Sequence, residues 1–133
     1  MDRTTKDVVI ECTKASDEER ITFPEVVKAL MQVGVERYHA DLLRAERTYY
    51  MPGGDSERVM GHAIQTEPAK PFCGDGVQAT VRTIQAGQIQ YREFCERIAA
   101  AGCVGYIVSL AGRRAVYYGR TGETYVEMFP GAK

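Results

Sequence analysis

The feature that most constrains this chain is a spacing of 68 residues at which it resembles itself. Without gaps, residues 21–55 align on residues 89–123 with eight identities: Ile21/Ile89, Glu25/Glu93, Gly34/Gly102, Tyr38/Tyr106, Leu42/Leu110, Tyr49/Tyr117, Tyr50/Tyr118 and Gly54/Gly122. A chain built this way must place two similar sets of elements. Each set alone, at about 65 residues, buries too little surface to be comfortable by itself. One domain over residues 1–133 is therefore expected, with internal units at approximately 3–64 and 76–133.

Each unit reads as two helices followed by three strands. The first helix covers roughly Arg3–Ala15 in one unit and Gly76–Gln85 in the other. The second opens at Thr22, where Thr22 and Glu25 have capping-box spacing and Pro24 is tolerated in the first turn. Val26, Val27, Leu30 and Met31 keep the helical period, and Gly34 supplies a left-handed stop. Phe94, Cys95 and Ile98 hold the matching stripe, which Gly102 ends. Strands are expected at Val35–Leu43, Glu46–Met51 and Glu57–Ile64, then at Cys103–Leu110, Arg114–Gly119 and Thr124–Phe129. Between the units, Gln65–Asp75 is a linker, because Pro68 and Pro71 exclude a helix interior or central strand. The expected class is α+β, an antiparallel sheet covered by one layer of helices.

Composition narrows the function classes. The 17 basic and 18 acidic residues leave a formal charge of −1, which argues against a dedicated nucleic-acid binder. No apolar run approaches the roughly 20 residues that cross a bilayer. The polar start Met1–Lys6 does not read as a secretory signal, so a cytoplasmic protein is expected. Cys12, Cys73, Cys95 and Cys103 show no C-x-x-C spacing. Cys12 and Cys95 fall on apolar helical stripes and read as core; Cys73, in the loop before a helix, is the one candidate for a reactive thiol.

The two units disagree at one place. In Val35–Leu43 the positions Tyr38, Ala40 and Leu42 form an apolar face, while Arg37, His39 and Asp41 point the other way. The matching positions Gly105, Ile107 and Ser109 are uncharged. Arg37, His39 and Asp41 are thus candidates for an anion or small-ligand site, with Asp41 orienting the imidazole. An alternating strand has one solvated face in any case, so these residues need no function. The pairs Tyr49-Tyr50 and Tyr117-Tyr118 put one ring on each face. Tyr49 and Tyr118, with Arg113, Arg114 and the neighbouring Arg47, are candidates for an aromatic–basic interaction surface. No cofactor or metal is expected: Pro52–Asp55 lacks the lysine of a phosphate loop, and His39, Asp41 and His62 lack ligand spacing.

Several segments resemble the YbcV-like family of small uncharacterised bacterial and prophage-encoded proteins. They are Glu11–Ser16, Ile21–Val27, Gly34–Leu42, Thr48–Pro52, Ala101–Ile107 and Leu110–Arg114. Members sometimes carry the label "phage envelope protein", a name rather than a mechanism. The resemblance implies a prophage or accessory bacterial context and no catalytic residues. The expectation is a non-enzymatic binding or interaction module whose partner is a second copy or another protein. The alternative is a small-ligand binder or modest enzyme using Arg37, His39 and Asp41. A concave pocket around His39 would favour the alternative; a flat exposed sheet would favour the module.

Overall fold

Capping chemistry sets the helix starts. Asp2 Oδ1 accepts from the Thr5 amide at 2.7 Å and opens α1 (Arg3–Asp17). The backbone N and Oγ1 of Thr22 both donate to Glu25 Oε1 at 2.8 Å, forming the expected box at the start of α2 (Phe23–Gln32). The chain continues through β1 (Arg37–Asp41), β2 (Glu46–Tyr50), β3 (Ser56–Met60), α3 (Gly74–Gln85) and α4 (Tyr91–Ala100). It ends with β4 (Cys103–Ser109), β5 (Arg114–Gly119) and β6 (Thr124–Met128). This computed structural model describes residues 1–130, so the last three residues of the expected second unit lie outside the described residues.

The strands form one antiparallel six-stranded sheet in the order β3-β2-β1-β4-β5-β6. With its single layer of helices, the molecule is one α+β domain. The helices α2 and α4, and the strands β3 and β6, begin and end 68 residues apart. So do the positive-φ pairs Glu19/Gly87, Gly34/Gly102, Ala45/Arg113 and Gly54/Gly122. The central pairing of β1 with β4 is balanced about His39↔Ile107, with Arg37 opposite Ser109 and Asp41 opposite Gly105.

Alternation decides which residues become core. Val9, Leu30, Tyr38, Tyr49, Val77, Ile98 and Val108 are buried between the helices and the inner sheet face. Five tyrosine rings cross that face as a continuous row: Tyr49–Tyr38 at 5.2 Å, Tyr38–Tyr106 at 6.4 Å, Tyr106–Tyr117 at 5.3 Å and Tyr117–Tyr125 at 6.4 Å. Such aromatic contacts add to the stabilisation that area burial alone provides. Gly102, at φ +91, lets α4 end against the linker; a Cβ there would sit 2.2 Å from the Pro71 carbonyl oxygen.

The expected strand Glu57–Ile64 is shorter in the fold, stopping at Met60. The Gly61 amide still bonds the Ala45 carbonyl in the register of the ladder, and one residue later the chain turns to α1, where the His62 amide bonds the Asp17 carboxylate at 2.9 Å. The linker is tied to α4: the Gln65 and Thr66 amides donate to the Glu96 carboxylate, and the Ala69 amide to the Ala99 carbonyl. No helix among the described residues is long and apolar enough to cross a membrane.

Candidate functional site: the open sheet face

Helices cover one face of the sheet and leave the other open. Strand register arranges the open face as three rows across six strands. The middle row runs Arg58, Thr48, His39, Ile107, Val116, Val126. One flanking row runs Ser56, Tyr50, Arg37, Ser109, Arg114, Met128. The other runs Met60, Glu46, Asp41, Gly105, Tyr118, Thr124. The β1–β3 half is polar and charged apart from Tyr50 and the exposed edge residue Met60. On the β4–β6 half, Ile107, Val116 and Val126 are directly paired neighbours, with Ile107 37% and Val126 44% exposed.

Arg37, His39 and Asp41 share this face, as strand parity predicts, but they do not converge on one another. His39 Nε2 meets the Tyr118 hydroxyl at 2.6 Å, and the two rings stack 22° from parallel. The contact passes over Gly105, whose missing side chain makes room for it. Burial pushes the Tyr118 hydroxyl above its ordinary pKa, and the Asp41 carboxylate adds to the effect. Asp41 does not orient His39 as expected. Its Oδ1 accepts from the Leu43 and Arg44 amides at 3.0 and 3.1 Å, which closes the β1–β2 turn. Arg37 lies over the Tyr50 ring at 4.1 Å and reaches Glu36 at 3.2 Å.

The expected aromatic–basic surface is redistributed. Tyr49 is fully buried, because it shares the inner face with Tyr38; its hydroxyl lies 2.7 Å from Thr13 Oγ1. Arg47 is only 5% exposed and belongs to the same inner face. Its guanidinium sits over the Tyr38 and Tyr91 rings at 5.4 and 5.0 Å and donates to the Tyr49 hydroxyl at 3.4 Å. Burial works against that charge, but the surrounding tyrosines Tyr91, Tyr106, Tyr49 and Tyr38 outweigh it. Arg113, in the β4–β5 turn at φ +52, and Arg114 are exposed. Arg114 and Tyr118 occupy opposite ends of β5, so the two form no local cluster.

Cys12 and Cys95 lie in the core, as their apolar helical stripes predict. Cys12, Cys95 and Cys103 are buried, and burial raises the last two to about 12 and about 11. Cys73 is exposed, and its sulfur accepts from the Gly76 amide at 3.4 Å at the start of α3. Two shallow grooves adjoin α1. One runs between α1 and α2 over Val8, Cys12, Ile21 and Ala29, with Asp7 and Glu11 at its rim. The other lies beside Asp17, Val59 and His62. Neither reaches His39. No set of His, Cys, Asp and Glu among the described residues could hold a metal ion.

Residues 13–127 match the family described as "Protein of unknown function (DUF1398)". The chain belongs to the DUF1398 family. The match includes every residue from α2 through β5, hence His39, Gly105 and Tyr118. It is also similar to Uncharacterized protein Rv2012 of Mycobacterium tuberculosis and Uncharacterized protein Mb2035 of Mycobacterium bovis. Each is 29% identical over 110 residues, covering 80% of this chain and 66% of the relative. The chain thus spans about two thirds of the length of these relatives.

Proposed function

We propose that this DUF1398 chain is a non-enzymatic binding module and that its binding surface is the open sheet face over β4–β6. One observation carries the reading: Ile107, Val116 and Val126 form an unbroken cross-strand apolar row on a face that no helix covers. Contiguous exposed apolar side chains rimmed by polar ones are characteristic of protein contact surfaces. The reading includes the YbcV-like resemblance, with its prophage context, and a cytoplasmic location. Three of the resembling segments, Gly34–Leu42, Thr48–Pro52 and Ala101–Ile107, contribute β1, β2 and β4 to this sheet.

The stacked His39–Tyr118 pair favours the second reading, a small-ligand site on the same face. It is the weaker one, since a reaction site needs walls that exclude water, and neither groove reaches His39. A photo-crosslinking residue placed at Val126, with the exposed helix position Lys28 as control, tests the module in cells that make the protein natively. Protein adducts are expected from Val126 and not from Lys28. Equal yields from both positions, or none from Val126, would overturn the reading.

A further inference from the structure

We propose that the occupant of this face is a second copy of the same chain, related by a twofold axis lying along the middle row, from Arg58 through His39 to Val126. The inference rests on the binding-module reading and names its partner. The register dictates what such an axis does. It returns the middle row onto itself, so Ile107, Val116 and Val126 meet their own counterparts, as do Thr48, His39 and Arg58, the last on the edge strand β3, where its exposed guanidinium keeps Glu46 at 3.8 Å. It also exchanges the two flanking rows. Arg37 then faces Asp41 of the second copy, Arg114 faces Tyr118, and each contact occurs twice.

The two Arg37–Asp41 contacts favour this arrangement. An axis along the strands would instead lay Val126 over Arg58 and Ile107 over His39, stripping water from charged groups without pairing them. Across the chosen axis, the basic group at one end of β1 meets the acidic group at the other end. Asp41 has an oxygen to offer, since Oδ1 alone takes the two turn amides. Arg37 is already laid flat on the face by the Tyr50 ring. Arg114 meeting Tyr118 is a cation–π contact between opposite ends of β5. Packed sheets lie about 10 Å apart with strands about 30° off parallel, a separation that brings the facing apolar side chains into contact and keeps the long arginine within reach.

Size sets the expected strength. Strands about 4.8 Å apart, each with a rise of about 3.4 Å per residue, give a face of about 500 Å² per copy. That places the pair at the small, reversible end of specific interfaces. A concentration-dependent dimer follows.

Sedimentation of the purified chain over a wide concentration range tests the proposal. The wild type should dimerise reversibly, and Val126→Lys or Ile107→Lys should weaken the dimer at least about tenfold while circular dichroism stays unchanged. Arg37→Asp and Asp41→Lys should each weaken it through paired like charges. A one-to-one mixture of the two should restore it, because both facing contacts then join opposite charges. Should Asp41→Lys fold poorly through loss of its turn bonds, the two lysine substitutions on the apolar row decide the matter. A wild type that stays monomeric near millimolar concentration overturns the proposal, as does a dimer indifferent to Val126→Lys or variants whose mixture does not recover. Adducts from Val126 to a different protein would sink the second copy and leave the module standing; absence of any adduct together with a monomer would sink both.

Discussion

His39 and Tyr118, 79 positions apart in the chain, meet across Gly105 with Nε2 and the hydroxyl oxygen 2.6 Å apart and the rings stacked. The bond joins the two halves of the sheet on its open side. A double-mutant cycle of His39→Ala and Tyr118→Phe should give a coupling of about 0.5–1.5 kcal/mol in urea melts, the size of a partly exposed hydrogen bond. Tyr106→Ala, on the buried side of the neighbouring strand, should cost about 3–5 kcal/mol through lost packing. A His39→Ala cost equal to that of Tyr106→Ala would place the imidazole in the core.

Gly105 is the hinge of that geometry. A Cβ at this position would lie 2.4 Å from the Tyr118 hydroxyl and 2.8 Å from the Ala40 carbonyl oxygen. The tyrosine can swing away, but the backbone oxygen cannot. Gly105→Ala should destabilise the chain by about 1–3 kcal/mol, as overpacking does. It should also abolish the His39–Tyr118 coupling, which repeating the cycle in the Gly105→Ala background would reveal.

Arg47 is a buried cation caged by tyrosines, and no carboxylate among the described residues pairs with it within 4.0 Å. A charge held this way contributes packing more than ion pairing. Arg47→Met, which keeps the bulk and removes the desolvated charge, should change stability by about 1 kcal/mol or less, or raise it. Arg47→Ala should cost about 2–4 kcal/mol, because the tyrosine rings lose what they pack against. Thermal melts of the two variants side by side would check the difference.

Alkaline pH should weaken the fold. Burial raises Cys95 to about 12 and Cys103 to about 11 from an ordinary 9.0, and it also raises Tyr38, Tyr91, Tyr106 and Tyr117. The native state therefore keeps protons that the unfolded chain releases. The stability tied to these groups is full below pH 9 and is lost as pH rises toward 11 and 12. Urea midpoints should fall between pH 8 and pH 10.5, and Cys103→Ala should lessen the slope.

Much of this architecture was legible in the residues. Thr22, Glu25, Gly34 and Gly102 marked helix ends because their chemistry acts within a few positions of backbone. Parity along Arg37–Asp41 separated its two faces correctly for the same local reason. What sequence could not show was long-range register. Which tyrosine of each pair faces the core depends on the neighbouring strands, so Tyr49 and Arg47 read as surface when they are interior. The place where Asp41 directs its carboxylate was settled by a turn two residues away, a competition that strand alternation does not register. Nothing at positions 39 or 118 hints that they touch; the clue was Gly105, a glycine inside a strand, which often marks close approach.

The most direct test of the open face as a self-docking surface is methyl NMR of Ile, Val and Met labelled protein diluted from millimolar to micromolar. Concentration-dependent shifts are expected at Ile107, Val116, Val126 and Met128, with Ile10 and Met31 in the helix layer unmoved. Shifts confined to Ile10 and Met31, or no shift at any of these methyls, would contradict it.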